Sequence, residues 1–258
     1  MFLLLTTKIM TLGICTLSNI PIRKEANSTS EMVSMLLFGE CVQIEQTEND
    51  WSKIKTITDQ YVGWVSSKQL TPLNSIPTSF TTVTQYPFAI LQSERGIIMA
   101  PCGSQLPYYD GSICNVNDLE YGVSTTQNKM VLKDITYIAM QYLNVPYLWG
   151  GKSPFGIDCS GFMQSIYACI GISLTRDAYQ QAEMGSTIAF LQETKAGDLA
   201  FFDNEEGKIT HVGMMLDNHT IIHASGKVRI DTIDSYGILN ADDHQYSHTL
   251  RIIKRIVG

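Results

Sequence analysis

Cys159 stands in the segment GIDCSGF, residues 156–162, between an aspartate and a serine and just ahead of a helical pattern. Phe162, Met163, Ile166, Tyr167 and Ile170 follow at i, i+1, i+4, i+5 and i+8, one face of a helix, and Gly171 supplies its stop. Asp158 is the expected N-cap, so the thiol falls in the first turn. Unpaired backbone N–H groups and the positive end of the helix dipole favour a thiolate there. The same N–H groups can hold an oxyanion. This is chemistry suited to a nucleophile. The plainer reading, a small buried apolar side chain, fits Cys169 on the same helix, and position alone leaves the two readings of Cys159 even.

A base decides between them. KITHVGMMLDNHTIIHASG reads as two strands, ITHVGMML and TIIHAS, around the turn Asp217-Asn218-His219. Folded as an antiparallel hairpin, the segment brings His211 and His223 opposite each other within about one register step, on one face. One imidazole could take the thiol proton while the other accepts its second N–H and fixes the tautomer. His219 belongs to the turn and to solvent. His244 and His248 have H-x-x-x-H spacing but no accompanying cysteine or second pair, so they read as surface residues, with metal binding the weaker alternative. No metal and no cofactor is expected.

These groups need elements to hold them. The 258-residue chain is 44% hydrophobic and 17% charged, as folded globular proteins are, and its net charge of −7 argues against nucleic acid or an anionic membrane as partner. The six cysteines lack C-x-x-C spacing, which removes zinc-ribbon and disulfide-scaffold readings. The opening MFLLLTTKIMTLGIC places apolar residues before any basic segment, the wrong order for a secretory signal, and is too short to span a bilayer. A cytoplasmic protein is expected.

Residues 1–72 read as short strands separated by EANSTSE, TEND and TDQ, which points to a compact all-β barrel. Trp51, Ile54 and Ile57 beside Ser52, Lys53 and Lys55 make an imperfect alternation suited to a barrel strand. Residues 73–128 begin with the linker PLNSIPTS and continue as strand and turn material, a second, degenerate barrel or β-rich unit. From about residue 129 the texture changes. Val131, Ile135, Ile138, Ala139 and Tyr142 have helical spacing, ended by Pro146, so an α+β domain is expected over 129–258.

In the order IPIRKEANSTSEMVSMLLFGECVQI, WSKIKT, YVGWVSSKQL, the first unit resembles the bacterial SH3-like domain. Over 129–258, the segments YLWGGKSPFGIDCSGF, TRDAYQQAEMG, KAGDLAFF, HVGMML and IIHASG resemble the NlpC family of papain-like cysteine peptidases, which cut bacterial cell-wall peptides. The resemblance implies a multidomain chain, all-β SH3-like barrels followed by an α+β papain-like cysteine peptidase domain. It implies Cys159 as nucleophile, His211 as general base and His223 as the orienting third member. Asp198, in KAGDLAFF, is read as serving a turn. SH3-like units before such a domain are similar to the γ-D-glutamyl-L-diamino acid endopeptidases. That likeness implies cleavage between the side-chain carboxyl of D-Glu and meso-diaminopimelate or Lys, in murein tripeptides or longer stem peptides with a free N-terminal L-Ala, by a monomer.

The resemblance also adds Tyr147 and Ser160 to the site and makes Glu31 and Tyr61 of the first barrel its closing walls. A turn carboxylate and a half-buried barrel aromatic are the plainer readings of that last pair. Recognition of a free amine needs a carboxylate and walls that leave no room for further chain. Asp158 could supply the charge, although capping competes for its oxygens. Arg176 could meet the free α-carboxylate of D-Glu through a bidentate contact, or pair with Asp177 or another surface acid. Ala178 stands where such sequences often carry Ser or Thr, which puts one substrate hydrogen bond in question. The competing expectation is a wall-binding protein or a hydrolase or amidase acting on intact murein.

Overall fold

The computed structural model describes residues 11–124 and 130–257. The apolar opening through residue 10 and the junction expected at 128/129 lie outside the described residues.

The first unit is a seven-stranded antiparallel sheet. Its strands are β1 (Thr11–Cys15), β2 (Asn19–Arg23), β3 (Met32–Leu37), β4 (Cys41–Glu48), β5 (Trp51–Thr56), β6 (Val62–Ser66) and β7 (Leu70–Leu73), in the order β3-β2-β6-β5-β4-β1-β7. Ile20, Ile22, Leu36, Val42, Ile54 and Val65 fill it. MVSMLLFGECVQIEQ is two strands, split at Gly39, whose φ is +78° and whose missing side chain lets the backbone of Gln105 approach. In β5 the inward face is Ser52, Ile54 and Thr56, with Trp51 and Ile57 only half-buried on the other face, unlike the apolar set read from the sequence. Ser52 tolerates burial because its hydroxyl bonds Ser67 at 2.8 Å.

The second unit carries β8 (Phe80–Thr82), β9 (Phe88–Ser93), β10 (Gly96–Pro101), β11 (Gln105–Pro107), β12 (Ile113–Val116) and β13 (Leu119–Val123). They form a four-stranded sheet, β10-β9-β13-β12, and the pair β11-β8. Its core takes in Ile14, Phe38 and Cys41 from the first unit, so the two share one apolar interior.

In the third unit the expected long helix over 131–142 is shorter, a 3₁₀ turn at Leu132–Asp134 followed by α1 (Ile135–Met140). Next come the two-residue strands β14 (Lys152–Ser153) and β15 (Gly156–Ile157), then α2 (Cys159–Cys169) and α3 (Ala178–Gln181). The remaining strands are β16 (Ser186–Ile188), β17 (Leu199–Asp203), β18 (Ile209–Met215), β19 (Thr220–Ser225), β20 (Lys227–Ile233), β21 (Gly237–Leu239) and β22 (Tyr246–Arg255). The sheet runs β16-β22-β17-β18-β19-β20-β21, and a further β21–β22 pairing closes β17–β22 into a six-stranded barrel. Alternation sorts its residues. Leu199, Phe201, Val212, Met214, Ile222 and Ala224 pack outward on α2 and α1, while Ala200, Phe202, Met215, Ile221, Ile233 and Ile238 fill the barrel. Asp198 is buried in the turn before β17, where it accepts from Lys195 N and is clamped by Arg255.

Candidate active site

Asp158 caps α2 as expected, its Oδ1 accepting from Gly161 N at 2.7 Å, and places Cys159 at the first helical position. Cys169 lies buried at the far end of the helix, its sulfur 3.2 Å from that of Cys102 in the second unit.

The thiol of Cys159 departs from the expectation of a lowered pKa. Burial pushes it up, Asp158 adds to the rise, and the opposing N–H groups of Val212 and Ser160 and the charge of Arg176 do not compensate, leaving it at about 11. The resting group is a thiol. It sits against the backbone of Val212, next in sequence to His211.

The hairpin forms, with Gly213 rather than His211 opposite His223. The two-residue offset keeps both imidazoles on one face, and His211 Nε2 lies 2.9 Å from His223 Nδ1. Gly213 makes this diagonal possible, because a Cβ there would stand 2.8 Å from that of His223. Burial, then the neighbouring His248 and His223, holds the His211 pKa well below the ordinary histidine range. It is therefore a neutral acceptor.

Two residues that sequence reasoning passed over complete the cluster. Asp231, on the strand after His223, receives His223 Nε2 at 2.8 Å and is gripped by Arg229 at 2.7 and 2.8 Å and by Ala241 N. Burial alone would raise the Asp231 pKa, but the bonds from His223, Arg229 and Ala241 outweigh it and hold the carboxyl well below the usual range. Sequence alone does not mark it, because in VRIDTI it falls at a polar position of the alternation, in phase with Arg229. His248, expected at the surface, instead stacks on His211 with ring centroids 4.0 Å apart. Burial lowers its pKa to about 4, aided by His223 and opposed by Asp231. The closure of the barrel by β22 brings it there. His244 and His219 are exposed.

An ionised Asp231 accepts, so His223 Nε2 carries its proton and His223 Nδ1 accepts from His211 Nε2–H. His211 Nδ1 is left with a free lone pair. The arrangement can take a proton from a thiol and return it to a leaving amine.

Two expectations about charge need correction. Asp158 is not free for a substrate ammonium: it caps α2, accepts from Gly150 N at 2.8 Å, and pairs with Arg176 at 2.5 Å. Arg176 is not free for a substrate carboxylate either, being 2% exposed, with its remaining bonds to Ser160 Oγ at 2.7 Å and Ser34 Oγ of β3 at 2.9 Å. Of its two expected partnerships, an acid of the chain itself prevails, Asp158 rather than Asp177. The Ser160 hydroxyl is committed to Arg176, so Ser160 reaches the thiol through its N–H alone.

Asp177 N-caps α3 in a capping box with Gln180 and, among the described residues, makes no ion pair within 4 Å. Burial raises its pKa, against the lowering by Arg176 and by the nearby phenol of Tyr61 of the first barrel. The Tyr61 phenol is itself pushed up to about 12, mainly by burial and then by Asp177. Glu31, exposed on the same barrel, accepts from Trp149 Nε1 at 2.8 Å and pairs with Lys24 at 3.2 Å. Tyr147 lines a groove with His211, His248, Ser225 and Gly226, its phenol pushed to about 12 by burial and then by Cys159. Ala178 opens α3 and is buried.

Residues 144–244 match the NlpC/P60 family and residues 22–70 the bacterial dipeptidyl-peptidase Sh3 domain. The chain is 30% identical over 246 residues to the γ-D-glutamyl-L-lysine dipeptidyl-peptidase of Bacillus subtilis, spanning 86% of this chain and 80% of that protein. It is 26% identical over 252 residues to dipeptidyl-peptidase 6 of Lysinibacillus sphaericus, spanning 85% and 90%. A crystal structure of an NlpC/P60 family protein from Bacillus cereus superposes with a TM-score of 0.76 at 21% identity, covering 96% of this chain and all (100%) of that one. An N-terminal SH3-like all-β region thus precedes a papain-like domain. The chain belongs to the NlpC/P60 family and is a cysteine peptidase.

Proposed function

We propose that this peptidase hydrolyses the bond between the γ-carboxyl of D-Glu and an L-diamino acid in murein peptides whose N-terminal L-Ala is free. The relatives named for γ-D-glutamyl-L-lysine dipeptidyl-peptidase activity favour that bond. The observation that carries the reading is the set of acidic and aromatic side chains that the first barrel and the catalytic domain bring together near Asp158. There Tyr61 and Glu31 of the first barrel meet Asp177 and Trp149 of the catalytic domain. Asp177 is a carboxylate whose ionisation burial disfavours, and a substrate ammonium would relieve it. In intact murein the same nitrogen is a neutral amide, which offers Asp177 no charge partner.

Cys159 Sγ attacks the γ-carbonyl carbon as its proton passes to His211 Nδ1. Backbone N–H groups at the start of α2 receive the oxyanion. The C–N bond then breaks, the amine leaves with the proton from His211, and water delivered through the same base hydrolyses the thioester.

The test compares L-Ala-γ-D-Glu-L-Lys with its N-acetyl derivative, using Cys159→Ala as the inactive control. Loss of a buried charge partner costs on the order of 3 kcal/mol, so acetylation should lower kcat/KM roughly a hundredfold or more. Equal turnover of the two peptides, or cleavage of intact sacculi at the same rate, would overturn this reading in favour of a wall hydrolase.

A further inference from the structure

We propose that His211, His223 and His248 form a binding site for a zinc-class dication, and that its occupancy switches the peptidase off. Sequence spacing does not bring these three histidines together, because they are scattered over β18, β19 and β22. Barrel closure brings one ligand nitrogen of each within 4.8 Å of the others. His211 Nε2 and His223 Nδ1 already face each other at 2.9 Å across a single proton. A tetrahedral ion with Zn–N bonds of about 2.0–2.1 Å holds its ligand atoms about 3.3 Å apart, so this pair opens by only a few tenths of an ångström. His248 is the half-buried member, lining the groove with Tyr147 and Ser225, and can turn in from that open side.

The surroundings are those of a ligand set. His223 gives its other N–H to Asp231 at 2.8 Å, the carboxylate–histidine arrangement that orients an imidazole toward a metal. His248 Nδ1 is held by Ser247 Oγ at 2.9 Å, which leaves Nε2 for coordination. Imidazole donors select zinc, copper, nickel or cobalt over magnesium and calcium.

Inhibition follows from one proton. Coordination through His211 Nε2 moves the proton of that nitrogen to Nδ1, with no net release. Nδ1 is the atom that must accept from the Cys159 thiol, so the metallated imidazole offers a donor where the reaction needs a lone pair. This consequence rests on the function proposed above; the site itself does not.

Two measurements separate them. Peptidase assays with zinc should show loss of most of the rate at micromolar free zinc, recovery with EDTA, and indifference to millimolar magnesium. The half-inhibitory zinc concentration should rise roughly tenfold or more in His248→Ala, each protein scored against its own metal-free rate. In Cys159→Ala protein, which cannot catalyse and lacks the competing thiol, cobalt(II) should give the visible absorption of a four-coordinate site. Adding His248→Ala should weaken that binding by a similar factor. Absence of the cobalt signal, or its independence of His248, overturns the site whatever the activity. A cobalt signal with a zinc-insensitive peptidase overturns the switch. A cobalt signal in Cys159→Ala, with metal-free wild-type enzyme leaving the tripeptide intact, supports the site and removes the functional reading beneath it.

Discussion

At the scale of single residues, the proposed nucleophile Cys159 is a buried thiol held against the backbone of Val212, the residue after His211, and this has a measurable signature. With the Cys159 pKa at about 11, the thiolate fraction grows tenfold with each pH unit through the neutral range. The rate of inactivation by iodoacetamide should therefore climb with unit slope from pH 6 to pH 9. A plateau extending into acid would instead report a standing thiolate–imidazolium pair. Asp231 should matter through the tautomer that it fixes. In Asp231→Asn the new amide can donate to His223 Nε2, which turns His223 Nδ1 into a donor and leaves His211 Nδ1 protonated. Steady-state kinetics should show kcat lowered by about a hundredfold or more with KM little changed. A matching rise in KM would mean that Asp231 only supports the fold. Cys159, His211 and His223 were legible because capping and a short hairpin are local. His248 was not, since it depends on the closure of β22 onto the barrel, and Asp231 and the Asp158 partner of Arg176, though near in sequence, are acids at positions whose burial no local pattern announces.

At the scale of elements, the diagonal between His211 and His223 is set by the ladder and by Gly213. A methyl group there would meet Ile221 Cδ1 at 2.7 Å and His223 Cβ at 2.8 Å. Gly213→Ala should displace His223, cost about 1–3 kcal/mol in a denaturant melt, and lower kcat. Full activity with unchanged stability would show that the ladder has more slack than its register implies. The hairpin was legible because its two strands alternate around an Asp217 turn, whose carboxylate accepts from His219 N and Thr220 N. The closure of β21 on β22 was not, because a pairing between strands separated by a surface turn leaves no periodicity of its own. The expected helix over 131–142 fell short for a related reason: a capping interaction of Asp134 with Val131 starts a 3₁₀ turn before α1.

At the scale of the whole molecule, the first barrel and the catalytic domain are joined by buried polar contacts. Lys152 of β14 pairs with Glu40 at 2.9 Å, both largely buried. Lys152→Met leaves that carboxylate without its partner and should cost about 3 kcal/mol in chemical denaturation. Adding Glu40→Gln should restore part of the loss, since the amide oxygen can still accept from Leu37 N. An unchanged midpoint in the single variant would mean that water replaces the ammonium. Gln164 of α2 bonds Asp59, and Gly150 lies so close to Met32 that a Cβ would stand 2.5 Å from its carbonyl oxygen. The deepest of these ties is Arg176, whose Nε donates to Ser34 on β3 while its other arm steadies the cap of the nucleophile's helix. A guanidinium shared in this way limits how such a protein can change over generations. The catalytic half cannot be traded as a cassette onto a foreign partner without losing the Ser34 bond of that guanidinium and stranding the ammonium of Lys152, so the two halves must drift together and be inherited as one piece.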